Sequence, residues 1–133
     1  MKSSLRLLLV LLAGVSSAAS IAAHHGTSVS YEMEKTITVT GTVTEFDLGY
    51  PHPSLFFDVK DEKGQTVKWG AEFLPTPAVL KNLGWTRDTI KFNDKVVLGC
   101  HPSKSGKPVC ALQSLTVNGK SVPLGPGAPG GGN

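Results

Sequence analysis

The side chains of this chain best able to do chemistry are its histidines. His24 and His25 are adjacent in IAAHHG, and His52 stands between two prolines in YPHPS. Imidazole is the commonest metal ligand among side chains. If the chain is cut after Ala22, a free amine, two deprotonated backbone amides and the His25 imidazole form a square-planar set of four nitrogens, which suits Cu(II) or Ni(II). If it is cut after Ala23, the amine and imidazole of His24 chelate one ion, and a third nitrogen completes a T-shaped copper site. His52 is the candidate for that nitrogen, so the metal set is His24, His25 and His52 with copper as the expected ion. Set against this, a flexible N-terminus that carries histidines binds copper weakly without that being its task.

Pro51 and Pro53 deny His52 a helix and hold it on a stiff loop, where function concentrates. Glu72, in WGAE, faces away from Trp69 and is either a solvated charge or a polar partner of His52 or Lys68. Tyr50, Glu72 and Trp85 are the candidate ligand-binding residues, with Phe56 as a further aromatic; Trp85 also suits the plain role of closing one end of a barrel. Cys100 and Cys110 flank a Pro-, Gly-, Ser- and Lys-rich segment, and a lone pair so placed is most simply a disulfide. Using Cys100, His101 and Cys110 as zinc ligands leaves a closed site one ligand short.

The elements that must position these residues begin with a targeting segment. Lys2 and Arg6 precede an apolar run from Leu7 to about Val15, and small residues follow to Ala23. This pattern predicts a signal peptide over residues 1–23, with an apolar stretch too short to span a bilayer. The expected location is periplasmic or secreted, with no stable membrane insertion after cleavage. Removal of Lys2 and Arg6 leaves eleven basic against ten acidic residues, a net charge of +1 rather than the +3 of the whole chain. Without a basic stripe, nucleic acid is not an expected partner.

Residues 24–124 read as one domain and 125–133 as a disordered Gly/Pro tail. TITVTGTVT alternates Ile37, Val39 and Val43 against Thr36, Thr38, Thr40, Thr42 and Thr44, the pattern of a half-buried strand. LFFDV and QTVKWGAEF, joined by DEKG, read as a hairpin. Thr76 as N-cap, Pro77 at the first helical position and Gly84 as stop frame a short helix. DKVVLGC and CALQSLTV give two more strands, and VNGK predicts a tight terminal hairpin. The expected fold is all-β with one short helix: a small OB-like five-stranded barrel in the order strand-strand-strand-helix-strand-strand, plus a C-terminal hairpin.

No nucleophile elbow, zinc-protease helix or phosphate loop is present. A Ser54–His52–Glu72 triad works only on paper, since the pleat holds Ser54 and His52 apart. An enzyme is therefore not the expected class. In order and spacing, AHHG, GTVTEF, Pro51-His52, WGAE, Leu83-Gly84-Trp85 and DKVVL resemble an uncharacterised family of small exported proteins found mainly in Gram-negative bacteria. The resemblance implies an exported β-barrel domain of unknown function. This chain departs from the pattern at Gly26, Tyr50 and Asn93, where Ser, Asn and Gly are usual, and in its cysteine pair. Two functional readings follow: a periplasmic binding module that holds copper through its processed N-terminus, or a metal-independent module that contacts a protein or small ligand, with a hydrolase a distant third.

Overall fold

β-branched and aromatic residues at alternate positions fold into five strands that close on themselves. The computed structural model describes residues 27–125. His24, His25, the expected signal peptide and the tail from residue 126 lie outside the described residues. The element order is α1 (Thr27–Ser30), β1 (Ile37–Asp47), β2 (Ser54–Lys60), β3 (Thr66–Phe73), α2 (Pro77–Asn82), β4 (Lys95–Pro102), β5 (Val109–Val117) and β6 (Lys120–Ser121).

The sheet runs β3-β2-β1-β4-β5-β6, and a parallel pairing of β3 with β5 closes it. All the other pairings are antiparallel. The result is the expected OB-like five-stranded barrel with a helix between the third and fourth strands, and with β6 as an added strand beside β5.

Two irregularities set which residues face inward. On β1, Val43 pairs with Phe57 but Glu45 pairs with Phe56, so Thr44 is an extra, unmatched residue. Such a bulge switches the parity of the strand: Val39 and Val43 point inward before it, and Phe46 packs against the core after it. On β5, Gln113 is skipped in the same way between Ser114 and Leu112. Leu112 and Cys110 thereby face the core together with Leu115 and Val117.

Leu55, Phe57, Phe73, Leu80, Val96 and Leu98 are fully buried at the centre. One end is closed by α2. Thr76 caps it by accepting from the Val79 amide, Pro77 follows, and Gly84 reverses the chain at φ 87°. Trp85 then packs at 5.5 Å from Phe73 and 5.8 Å from Phe46, and its Nε1 donates to the Pro123 carbonyl at 2.8 Å. The terminal hairpin turns on Asn118 and Gly119, both at positive φ. Cys100 and Cys110 are disulfide-bonded and wholly buried, with Cα atoms 5.7 Å apart.

A second turn is held by charge. Asp94 accepts from the Lys91 amide at 2.8 Å and from Asn118 Nδ2 at 2.9 Å, tying the approach to β4 to the terminal hairpin. The hydrogen bond from the Lys91 backbone, and then that from Asn118, hold its carboxyl below the usual carboxylate range. A depressed acid stabilises the fold above its unfolded pKa, and that stabilisation disappears as pH falls through the folded value. Asp94→Ala is expected to lower unfolding stability at neutral pH by about 1 kcal/mol. The gap to wild type should close as urea titrations move to acidic pH; a gap independent of pH would contradict this role. Replacing both cysteines by alanine is expected to cost about 2–3 kcal/mol, the loop-closure scale for a bridge of this span, in the same titrations.

Candidate functional site

The β1–β2 loop, the end of β3 and the segment before β1 meet on one side of the barrel. Ser54 pairs with Glu72, and one step further the Phe73 amide donates to the Pro53 carbonyl at 2.9 Å. Pro53 is itself fully buried. This anchors the loop immediately after His52 and sets the imidazole beside the outward-facing carboxylate of Glu72. The Tyr50–Pro51 bond in the same loop is cis.

The third component comes from residues 28–35, which lie along the β4–β5 connection. The Glu32 amide donates to the Pro102 carbonyl at 2.9 Å, and the Lys104 amide to the Ser30 carbonyl at 3.0 Å. Lys104 Nζ reaches the Ser28 carbonyl at 2.7 Å. His101 Nδ1 donates to the Lys35 carbonyl at 2.8 Å, which gives this buried histidine a structural role. Held in this way, Tyr31 turns its hydroxyl into the site and donates to Glu72 Oε2 at 2.9 Å.

Glu72 is therefore shared. Its other oxygen, Oε1, lies 4.0 Å from His52 Nε2, beyond hydrogen-bond length. His52 Nδ1 is buried and has no hydrogen-bond partner. A buried, unpaired nitrogen is costly. Both imidazole nitrogens are thus uncommitted, in a residue whose side chain is only 36% exposed. A hollow of about 310 Å³ opens here, lined by Tyr31, His52, Ser54, Phe56, Gly70 and Glu72 among others.

Burial, followed by the hydrogen bond to Glu72 and its charge, pushes the Tyr31 phenol up from 10.0 to about 12. The phenol stays a neutral donor across the physiological range. A folded pKa above the unfolded one means that the stabilisation is complete below about pH 10 and is lost as pH rises towards 12.

Of the residues singled out from sequence, His52 and Glu72 are brought to within 4.0 Å of each other, although the hydrogen bond of Glu72 is to Tyr31. Lys68 lies 3.8 Å from Asp58. Tyr50 is adjacent but 73% exposed, outside the lining of the hollow. Trp85 is not brought to the site: at 4% exposure it is a core residue that closes the barrel end, because Gly84 turns it inward onto Phe46 and Phe73. The expected bond between Cys100 and Cys110 is present, which removes both from metal ligation. His24 and His25 lie outside the described residues. Tyr31 was missed, since nothing in SVSYEME marks it and its partner is 41 residues away. Among the described residues no three His, Cys, Asp or Glu side chains converge as a metal site, so His52 and Glu72 need further ligands to hold an ion.

Ultraviolet titration is expected to show the Tyr31 phenol ionising near pH 12, a step absent in Tyr31→Phe. That variant should also lose about 1 kcal/mol of stability at pH 7, the worth of a hydrogen bond to a charged acceptor at a partly exposed site. An unchanged titration curve would remove Tyr31 from the site.

The comparison with known proteins adds a family and no activity. The chain matches no curated protein. A family profile described as "Family of unknown function (DUF6152)" matches residues 11–112, more than half of the chain, and the protein belongs to that family.

Proposed function

We propose that this protein is an exported binding module that holds a copper ion between His52 and the histidines of its processed N-terminus. The observation that carries this reading is the Tyr31–Glu72 hydrogen bond, which ties the N-terminal segment to the wall of the hollow that carries His52. His24 precedes Thr27 by three residues, so its Cα lies within about 11 Å of the start of α1 even when the chain between is fully extended. On this reading the processed N-terminus reaches across to His52, whose two nitrogens are uncommitted.

The donor set suits the ion. Imidazole and amine nitrogens with a nearby carboxylate favour Cu(II), and a T-shaped arrangement needs one imidazole from outside the N-terminal chelate. The 4.0 Å gap between His52 and Glu72 is too long for a hydrogen bond, so neither group is committed to the other and both would be available to an ion. Tyr31, as a neutral donor to Oε2, orients the carboxylate and leaves Oε1 facing His52. Burial of a disulfide accords with an oxidising compartment, where a copper-holding module would buffer or deliver the ion.

The test is calorimetric titration of Cu(II) into the processed protein, with its first residue established by intact mass. One ion per chain is expected. His52→Ala and His24→Ala should each weaken binding at least about tenfold, with a smaller loss for Glu72→Gln. Copper affinity indifferent to His52, or a mature chain that begins after His25, would overturn the reading.

A further inference from the structure

A second feature adjoins the same hollow and centres on side chains other than the histidines. Outward positions in register across four strands form a row: Glu45 on β1 pairs with Phe56 on β2, Phe56 with Gly70 on β3, and Gly70 with Val109 on β5. The row is the floor of two adjoining hollows. One is the site above, and the other, about 380 Å³, is lined by Thr44, Glu45, Lys68, Trp69 and Pro108 together with the shared Phe56, Gly70 and Val109. Phe56 is 43% exposed although it lies at the middle of the sheet.

Gly70 is the telling residue. Glycine weakens a strand and needs a reason. At Gly41 the reason is crowding, since an added Cβ would lie 2.6 Å from the Phe57 ring, and at Gly99 it would lie 2.5 Å from Ser114 Oγ. Gly70 has neither crowding nor a left-handed backbone. A Cβ there would meet Val109 Cγ1 at 3.5 Å and Phe56 Cε1 at 3.6 Å, which are ordinary contacts. Packing therefore accepts a side chain at this position, and what its absence provides is an open gap beside the Phe56 ring. A strand glycine marks a bend, a bulge or a close approach, and here, beside the exposed Phe56 ring, it leaves room for an outside group.

The chemistry around the gap selects the occupant. Along the row stand the carboxylates of Glu45 and Glu72, the hydroxyls of Thr44 and Ser54, and one ammonium, Lys68, which is already paired with Asp58. A polyanion needs a cationic track, which this row lacks. A neutral polyol uses carboxylate and hydroxyl acceptors as well as donors, and the C–H face of a pyranose ring presents positive edges to the negative face of an aromatic ring. Four strands span three inter-strand spacings, about 14 Å, a length suited to an extended trisaccharide.

We propose that the Glu45–Phe56–Gly70–Val109 row is a groove for a neutral, linear oligosaccharide, with one sugar ring stacked on Phe56 over the gap at Gly70. The groove adjoins the copper site and shares Glu72 with it, but it needs no metal.

The experiment is an amide NMR titration of the processed protein with cellotetraose and, separately, N-acetylated chitotetraose. Shifts should cluster at Glu45, Phe56, Gly70 and Val109 for at least one of the two sugars. Phe56→Ala and Gly70→Leu should each weaken binding at least about tenfold, the scale of one lost stacking contact, with the spectrum otherwise that of the folded protein. Gly70→Ala, which the packing accommodates, serves as the second variant and should weaken binding less than leucine. Adding a chelator, or substituting His24 by alanine, should change nothing, so failure of the copper reading and failure of this one are separable. No shifts with either sugar at millimolar concentration would overturn the proposal. So would undiminished binding in Phe56→Ala, or preferential binding of a sulfated tetrasaccharide or a peptide to the row.

Discussion

The parallel pairing of Gly70–Phe73 with Val109–Leu112 is the constraint on which the molecule depends. Without it the chain is an open antiparallel sheet with two bare edges; with it the edges are spent on one another and an interior exists. Everything at the functional face is arranged around this seam. Glu72 is a seam residue paired with Ala111, Gly70 begins the seam opposite Val109, and Cys110 lies opposite Ala71. The disulfide from Cys110 to Cys100 then fastens the seam strand to β4. The β4–β5 connection that receives the N-terminal segment is thereby held at both of its ends.

A barrel closed in this way separates structural from chemical residues by parity. Inward positions are spent on Leu55, Phe57, Phe73 and Leu98, and they leave the outward positions of β2 and β3 free to carry Ser54, Phe56, Lys68 and Glu72. The bulge at Thr44 makes the two programmes compatible on β1, because it lets Phe46 join the core while Glu45 stays at the end of the outward row. One inserted residue serves the packing and the surface together.

The parts legible in the sequence were those whose cause is local. Alternation in TITVTGTV, the capped helix start at Thr76-Pro77, the Asn118-Gly119 turn and the paired cysteines each carry their reason within a few residues, and each is found in the structure. Asn93 is instructive: the structure shows φ 70°, a left-handed backbone that asparagine tolerates better than most residues. Glu72 reads from sequence as a solvated charge or a partner of His52 or Lys68, because strand parity gives its face but not which neighbour the loops deliver. Tyr31 was illegible, since its place depends on residues 102–104, more than seventy positions away. Trp85 was seen as an aromatic with two uses, and only the aromatic pair beneath it decides between them.

The attachment of residues 28–35 has a consequence for how long the site lasts compared with the fold. The segment joins no long ladder; it is held by the hydrogen bonds at Ser28, Ser30, Glu32 and Lys35 and by Tyr31 on Glu72. Its one buried apolar side chain is Tyr31, so detaching it would cost less than unfolding the barrel. A molecule built this way would have two lifetimes, one for the barrel and a shorter one for the cleft, and a ligand that engages the segment and β3 together would lengthen the shorter more than the longer.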